Sequence, residues 1–225
     1  MANLLMTIFT LCLTVLAYWL SIELAKKYRY PFTTPLFLST LIIIGLFMVM
    51  DISYQDYSTA NTLLTYLLGP ATVALALPIY KNRKIIITYF RPALVGILVG
   101  SLVTISSAIF LAHILHLGNE IELSLSLKSI TTPVAVEVAE VIGANISLSA
   151  AFVVVTGILG AMFGPWLLTK AKVIHPVSRG LALGVISHGI GTSEAVKEGQ
   201  LEGAVAGSAM GVTSLLLSLV LPMLL

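Results

Sequence analysis

The stretch SLKSITTPVAVEVAE, residues 126–140, places one lysine, several hydroxyls, one proline and two glutamates within the length of a single helix. Proline lacks a backbone N–H and disfavours helical angles at the residue before it. The pattern therefore predicts a helix that breaks at Thr131, Thr132 and Pro133. Such a concentration of polar groups requires an explanation, because the chain around it is strongly apolar.

The composition excludes an ordinary soluble protein. Hydrophobic residues make up 58% of the chain and charged residues only 10%, whereas soluble domains carry about 25% charged residues. The apolar runs are unbroken and rich in Leu, Ile and Ala, as helices in lipid require, and lack the alternation of a membrane barrel. We predict an all-α polytopic membrane protein with about six to eight transmembrane segments. It forms one domain, residues 1–225, and is a multi-pass protein of the plasma or inner membrane, with the lipid bilayer as its main surroundings.

The apolar runs define the predicted membrane spans. Six are simple spans, and two further segments carry polar residues. The simple spans are 3–24, 34–50, 62–80, 85–112, 147–168 and 200–225, and the polar segments are 121–145 and 179–199.

Basic residues predict the orientation, because short cytoplasmic loops are enriched in Lys and Arg. They form three clusters, which are Lys26, Lys27 and Arg29, then Lys81, Arg83 and Lys84, then Lys170, Lys172 and Arg179. Acidic loops without Lys or Arg lie between them. Placing the basic loops in the cytoplasm puts the N-terminus outside the cell and makes the first four spans alternate.

The third basic cluster indicates that the two polar segments do not cross the membrane once each. A single crossing by 121–145 would place that cluster outside the cell. The charge bias is satisfied if 121–145 enters from outside and returns, while 179–199 enters from the cytoplasm and returns. Two fully crossing broken helices are the alternative. Discontinuous segments that approach from opposite faces are typical of secondary transporters.

The second polar segment, HGIGTSEA at residues 188–195, resembles the first in the order of its groups. Aligning Lys128 with His188 aligns Thr132 with Thr192. Its glycines predict a helix break at Gly189-Ile190-Gly191. A basic or imidazole side chain, a helix breaker, hydroxyls and a carboxylate follow one another in both segments, which indicates an inverted internal repeat.

Broken helices of this kind suit a small organic anion. The unpaired N–H groups at a half-helix start carry partial positive charge and bind carboxylates or phosphates, and nearby hydroxyls and cations add donors. Glu137 and Glu194 are the candidates for carrying a coupling proton. The predicted substrate-binding residues are Lys128, Ser129, Thr131, Thr132, Pro133, His188, Gly189, Gly191, Thr192 and Ser193.

Each of these groups also has a purely structural interpretation. Lys128 can extend its long stem to the headgroups, and His188 can be a neutral packed imidazole. Glu137 and Glu140 can face a water-filled vestibule. The hydroxyls of Thr131 and Thr132 can satisfy carbonyls freed by the proline.

Several classes of function are excluded by the sequence. The net charge of +2 and the lack of a basic run argue against nucleic acid as a partner. The single cysteine, Cys12, allows no intrachain disulfide, and no metal or cofactor motif is present. Residues 189–194 fail the dinucleotide fingerprint, and motifs of hydrolases and metalloproteases are missing. We therefore predict that the chain is not an enzyme, and that any transport is secondary or partner-driven.

Close helix packing is predicted from glycines that repeat every four residues. The longest series is Gly199, Gly203, Gly207 and Gly211. It is a candidate surface where the subunit or a partner slides or docks, so a homo- or hetero-oligomer is expected.

Three segments carry a resemblance to a known family. LGPATVALALPIYKNR (68–83), SLKSITTPVAVEVAEVIG (126–143) and SHGIGTSEAVKEG (187–199) resemble the signature segments of the LrgB/CidB family, once called antiholin-like proteins. The family includes the C-terminal part of the plastid glycolate/glycerate transporter. Its bacterial members are usually encoded with a small LrgA/CidA-type membrane protein and are implicated in pyruvate movement. An older interpretation connects them with murein hydrolases, autolysis and programmed cell death.

Two functions follow as expectations from this resemblance. The first is a secondary transporter of small monocarboxylates or hydroxyacids of the pyruvate, glycolate, glycerate or lactate type, which works with an LrgA/CidA-type partner. The alternative is a holin- or antiholin-like membrane regulator of murein hydrolase activity and autolysis. The polar breaks favour the transporter, because ionisable groups inside a membrane are costly and a purely structural oligomer has little use for them.

Overall fold

The described residues of the computed structural model are 2–28, 30–67, 70, 73–74 and 76–225, and among them every regular element is helical. They group into two compact units, Met1–Ala74 and Leu75–Leu225. The single-domain organisation of the chain stays a prediction.

The elements described in residues 2–66 of the first unit are three helices and a short 3-10 turn. These are α1 (Ala2–Lys27), the turn Pro31–Thr33, α2 (Pro35–Val49) and α3 (Tyr54–Tyr66). Helix α1 packs against both α2 and α3. Ser53 starts α3 with a capping box, because its N–H donates to Asp56 Oδ2 at 3.1 Å and its hydroxyl oxygen accepts from Asp56 N–H at 3.3 Å. The Ser53 hydroxyl also donates to Asp56 Oδ2 at 2.6 Å, and this bond together with that from the N–H holds the pKa of Asp56 below its usual value.

The second unit contains the remaining described helices. They are α4 (Ala76–Lys81), α5 (Arg83–Thr88), α6 (Phe90–Ile114), α7 (Asn119–Ser126), α8 (Thr132–Ile142), α9 (Ile146–Lys170), α10 (Pro176–Glu198) and α11 (Gln200–Leu224).

Four of the described helices are long and apolar enough to cross a membrane. They contain the segments Leu4–Lys27, Phe90–Ile114, Ile146–Lys170 and Gln200–Leu224, and α2 is a shorter apolar helix. The predicted all-α membrane fold is confirmed. The predicted span 85–112 divides at Tyr89, where α5 ends and α6 begins. The predicted span 62–80 includes residues that are not described.

Residues 119–145 form a helical hairpin, called the first hairpin below. Helix α7 runs to Ser126, residues 127–131 turn, and α8 returns from Thr132. The Asn145 side-chain amide donates to Glu120 Oε1 at 2.9 Å, although the two residues are 25 positions apart. The segment therefore enters and leaves at the same end of the unit, as the re-entrant prediction requires.

Residues 176–198 form the second hairpin. Arg179 Nη2 donates to Glu198 Oε1 at 2.6 Å across 19 positions, whereas a continuous helix would separate them by about 28 Å. The chain reverses at His188, whose φ of 42° and ψ of −131° interrupt α10. Its two arms are therefore residues 176–187 and 189–198, and the segment folds back on itself, as the second re-entrant prediction requires.

The two hairpins approach the middle of α9 from opposite ends. Asn145, at the base of the first hairpin, caps the start of α9 by accepting from Leu148 N–H at 2.9 Å. Arg179, at the base of the second, donates to Pro165 O near the other end of α9 at 3.2 Å. A long helix precedes each hairpin, α6 the first and α9 the second. This arrangement supports the predicted inverted repeat.

Glycines let the second hairpin pack directly on a neighbouring backbone. A Cβ atom at Gly180 would overlap Glu202 O, and one at Gly184 would overlap Ala206 O, so the first arm lies against α11. The predicted docking series is only partly a free surface. Gly203 packs against Val196 of the same unit, whereas Gly211 has no neighbouring atom within 4 Å.

Candidate functional site

Lys128 lies at the tip of the first hairpin. Fully buried Leu127 and Ile130 flank it and anchor the turn in an apolar cluster with α9 and α11. The ammonium Nζ donates to Thr104 Oγ1 at 2.5 Å, midway along α6, and lies 3.3 Å from Ser129 Oγ. Lys128 takes part in none of the ion pairs among the described residues. Lys128 is therefore half-buried without an acidic partner among these residues, and its ammonium bonds to the middle of α6 instead of extending toward a helix end.

A groove of about 420 Å³ begins at this lysine. It runs between α9 and the first arm of the second hairpin, so Lys128 at the tip of the first hairpin and Ser187, which directly precedes the tip of the second, both border it. Its walls are mainly apolar, and its polar side chains are Lys128, Thr156 and Ser187. The apolar lining includes Leu159, Phe163, Leu167, Leu168, Leu183 and Ile186.

His188 forms the tip of the second hairpin. Its side chain is 3% exposed, and Nε2 lies 2.9 Å from Val153 O on α9. A carbonyl only accepts, so Nε2 carries the hydrogen. The ring leaves no room beside Gly157, where a Cβ atom would lie 2.6 Å from the imidazole Cε1. The structure thus places His188 as a packed imidazole that attaches the hairpin tip to α9.

The second break differs from the prediction. It lies at His188 and not at Gly189-Ile190-Gly191, and those three residues are helical. The glycines serve packing instead of backbone freedom: Gly191 lies against Leu183 O of the opposite arm, and Gly189 approaches Met210 Sδ.

Two hydroxyls follow the second break. Thr192 is fully buried, and its hydroxyl donates to His188 O at 2.8 Å, which bridges the point of reversal. Ser193 is exposed and donates to Ile190 O at 2.7 Å within its own helix. Only Thr192 of this pair is therefore part of the buried tip.

The first break also begins earlier than predicted. Helix α7 ends at Ser126, and Thr132 and Pro133 already belong to α8. Proline is tolerated there because an N–H in the first helical turn has no intrahelical acceptor. Thr132 is half-buried and Pro133 exposed, while the Thr131 N–H donates to Ser214 Oγ of α11 at 3.4 Å.

The predicted proton carriers lie away from both tips. Glu137 and Glu140 are exposed on α8. Glu194 forms an ion pair with Lys197 at 2.6 Å on the second arm. Neither Glu137 nor Glu194 bonds to Lys128 or His188, so the structure does not assemble them with the cation.

Several residues near the tips were missed in the sequence. These are Thr104 on α6, which accepts from Lys128, Ser187 on the second hairpin, and Ser214 on α11, which accepts from Thr131 N–H. The sequence feature that could have indicated the residues on α6 and α11 is a hydroxyl side chain at the centre of a long apolar span. Such hydroxyls usually bond to their own helix, so the sequence alone does not distinguish them from structural residues.

The sequence of the whole chain identifies its family. The sequence model of the LrgB-like family matches residues 14–225, which include both hairpins. The chain belongs to the LrgB-like family. It is 33% identical to the uncharacterized protein YwbG of Bacillus subtilis, with 97% of each chain covered. It is 29% identical to the antiholin-like protein LrgB of the same organism, covering 95% of this chain and 93% of that one.

A further relative of this LrgB-like chain is the holin-like protein CidB of Staphylococcus epidermidis, which is 27% identical, with 98% of this chain and 96% of that one covered. No solved structure matches the chain. Together with the four long apolar helices, the relatives support a multi-pass protein of the cell membrane. Two of these relatives carry names of the holin-like and antiholin-like type.

Proposed function

We propose that this LrgB-like chain is a secondary transporter of small monocarboxylates or hydroxyacids, of the pyruvate, glycolate, glycerate or lactate type. The observation that carries the proposal is the position of Lys128. An ammonium with no acidic partner in the described part of the chain lies at the tip of one re-entrant hairpin, beside a groove that Ser187, next to the tip of the second hairpin, also borders.

The size of the electrostatic effects favours Lys128 as the main anion-binding group. A carboxylate that leaves water for an apolar interior loses hydration free energy, and this cost must be offset. Two unit charges 4 Å apart attract by about 4 kcal/mol at an effective dielectric constant near 20. A helix N-terminus such as that of α8 contributes about 0.3–1 kcal/mol. The lysine is therefore the larger contribution, and the half-helix ends and hydroxyls orient the anion.

The hairpins supply a route for alternating access. Their bases lie at opposite ends of α9 and their tips lie near its middle. Each hairpin thus separates the tip region from one side of the membrane. Movement of one hairpin at a time would open the site to one side only, as in other carriers with discontinuous helices.

Uptake into proteoliposomes tests the proposal. Labelled pyruvate, glycolate and lactate are supplied to vesicles that contain the full chain, with and without an LrgA/CidA-type membrane protein. Lys128→Met should raise the half-saturation concentration by about tenfold or more, and Lys128→Arg should raise it less, because it keeps the charge. Lys84→Met, which removes an exposed lysine, is the matched control. Unchanged kinetics in the Lys128→Met variant would contradict the assignment.

The holin- or antiholin-like regulator is the second candidate, and the names of CidB and LrgB favour it. Such a protein would act through assembly, as a homo-oligomer or with a small LrgA/CidA-type partner. The two candidates differ in what Lys128→Met should do. If the variant loses carboxylate uptake but still changes autolysis and murein hydrolase activity as the wild type does, the regulatory role is separate from transport.

A further inference from the structure

An apolar cavity of about 150 Å³ lies between α6, α11 and the first arm of the second hairpin. Its rim is exposed, since Tyr89 and Phe90 at the start of α6 are 37% and 54% exposed. Its floor is buried, since Ile97 and Ala209 are 4% and 1% exposed. From Phe90 to Ile97 helix α6 rises about 10 Å. The cavity therefore leads from the surface of the second unit into its core.

A second cavity, of about 320 Å³, lies at the same end of α6. His175 and Ser178 line it, so polar side chains from the region where α10 begins stand at its rim. The ring of Tyr89 meets that of His175 edge to face there, with centroids 5.5 Å apart. The residues that line both cavities are Tyr89, Ala93, Val177 and Leu181. The two cavities thus adjoin, the first apolar and the second with a polar rim.

The cavities lie at the level of the predicted cytoplasmic membrane interface. His175 belongs to the basic loop 169–179, and Ile86, which lines the first cavity, follows the basic loop 81–84 by two residues. Both loops are predicted to be cytoplasmic, and tyrosine, here Tyr89, is enriched at this level of a membrane. One leaflet accounts for about 15 Å of a hydrocarbon core about 30 Å thick. A depth of about 10 Å therefore places the first cavity among the acyl chains, where there is no water to fill it.

The rim of the second cavity lies in a basic region. Arg91 stands on α6 directly between a residue that lines the first cavity and one that lines the second, and Lys172 lies in the loop that leads to α10. Both cations are exposed, and neither takes part in the ion pairs of the described residues. The sequence contains no Asp or Glu from 81 to 118 or from 145 to 193. On α11, the Glu202 carboxylate lies against the end of the second arm. Positive charge without acidic neighbours in these segments thus adjoins an apolar cavity.

We propose that the two cavities bind one anionic phospholipid of the cytoplasmic leaflet, with an acyl chain in the first cavity and the phosphate at the rim of the second, beside Arg91. Burial of the chain and attraction between basic side chains and the anionic headgroup act together in such a site. A zwitterionic lipid gains the burial but little of the attraction. Val177 and Leu181 belong to the first arm of the second hairpin, so the lipid ties this arm to α6 and α11. Its binding does not depend on what the chain carries.

Native mass spectrometry of the full chain in detergent tests the requirement for charge. The chain is titrated with phosphatidylglycerol or with phosphatidylcholine of identical acyl chains, and the wild type should bind phosphatidylglycerol at least fivefold more tightly. Arg91→Gln should lower the affinity for phosphatidylglycerol about fivefold and leave that for phosphatidylcholine unchanged. The control is Lys170→Gln, which removes an exposed cation on α9, a helix that supplies none of the described lining residues of either cavity. Equal affinity of the wild type for both lipids, or an equal loss in both variants, would overturn the anionic site.

Substitutions that fill the apolar cavity test the position of the acyl chain. Ala93→Phe on α6 and Val212→Phe on α11 add volume from opposite walls. Each should lower the affinity for both lipids at least tenfold, because burial of each methylene group contributes about fourfold. Val95→Phe, at a position of α6 that is 60% exposed, is the matched control. The cavity variant whose melting temperature equals that of the control decides, and wild-type lipid affinity in it would overturn the assignment.

A second copy of the chain is the alternative occupant of this face. The same spectra report whether the wild type is a monomer or a dimer. If the wild type is a dimer and the cavity variants are monomers with wild-type lipid affinity, the cavities form an interface between copies and the lipid site is wrong.

Discussion

The hydroxyl of Thr192 satisfies a backbone carbonyl at the point where α10 reverses. It donates to His188 O at 2.8 Å, and Thr192 is fully buried. Replacement by Val keeps the shape and removes this bond. We expect Thr192→Val to lower the rate of carboxylate uptake severalfold, with normal insertion into the membrane, since a lost buried hydrogen bond costs about 1 kcal/mol. Thr169→Val, which removes an exposed hydroxyl bonded to Pro165 O, is the control. Equal loss in both variants would contradict a role specific to the tip.

At Gly191 the neighbouring arm leaves no space for a larger side chain. A Cβ atom there would overlap Leu183 O and lie 2.5 Å from Ser187 Cβ, both on the opposite arm. We expect Gly191→Ala to lower the free energy of unfolding by about 1–3 kcal/mol, the usual effect of overpacking. Gly211→Ala has open space around it and should be neutral or slightly stabilising. Thermal unfolding of both variants in detergent measures the difference. Equal melting temperatures would show that the two arms separate easily at Gly191.

At the scale of elements, the hairpins differ in how their bases are closed. Arg179 makes two charge-assisted bonds to Glu198, of 2.7 and 2.6 Å, with side chains that are 13% and 18% exposed. The first hairpin has one amide–carboxylate bond, from Asn145 to Glu120. We expect Arg179→Gln to cost about 2–3 kcal/mol of stability, and Asn145→Ala about 1 kcal/mol. The melting temperatures of the two variants in detergent test this order. The reverse order would mean that the ion pair is largely hydrated.

The sequence predicted these elements better than it predicted their contacts. The preference of Lys and Arg for cytoplasmic loops and the position of proline are visible in the sequence itself. The re-entrant hairpins and the position of Lys128 at a helix break could therefore be inferred from it. The break at His188 was missed because its unusual φ depends on the bond to Val153 O and on the space left by Gly157. The hydroxyls of α6 and α11 were missed for a related reason. Which of many serines and threonines reaches a tip depends on helix register, which no local pattern contains.

At the scale of the whole molecule, membrane orientation follows from the hairpins together with the basic loops. The base of the second hairpin lies near the end of α9 that carries Lys170, and the base of the first lies at the other end. Because Lys and Arg favour the cytoplasmic side, loops 25–31, 81–84 and 169–179 are predicted to be cytoplasmic. The first hairpin then enters from outside the cell, and the N-terminus is also outside.

Cysteine accessibility tests this orientation in a Cys12→Ser background, because Cys12 is the only cysteine of the chain. A cysteine placed at the exposed Lys172 should react with a membrane-impermeant reagent only after the cells are opened. A cysteine at Leu117, which is exposed just before α7, should react in intact cells. The first hairpin and α9 lie between the two sites in the sequence. If the hairpin returns to the side from which it entered, only α9 crosses the membrane between them, and the two sites lie on opposite sides of the membrane. Reaction of both sites in intact cells would mean that 121–145 crosses the membrane, which would contradict the re-entrant arrangement and the access route built on it.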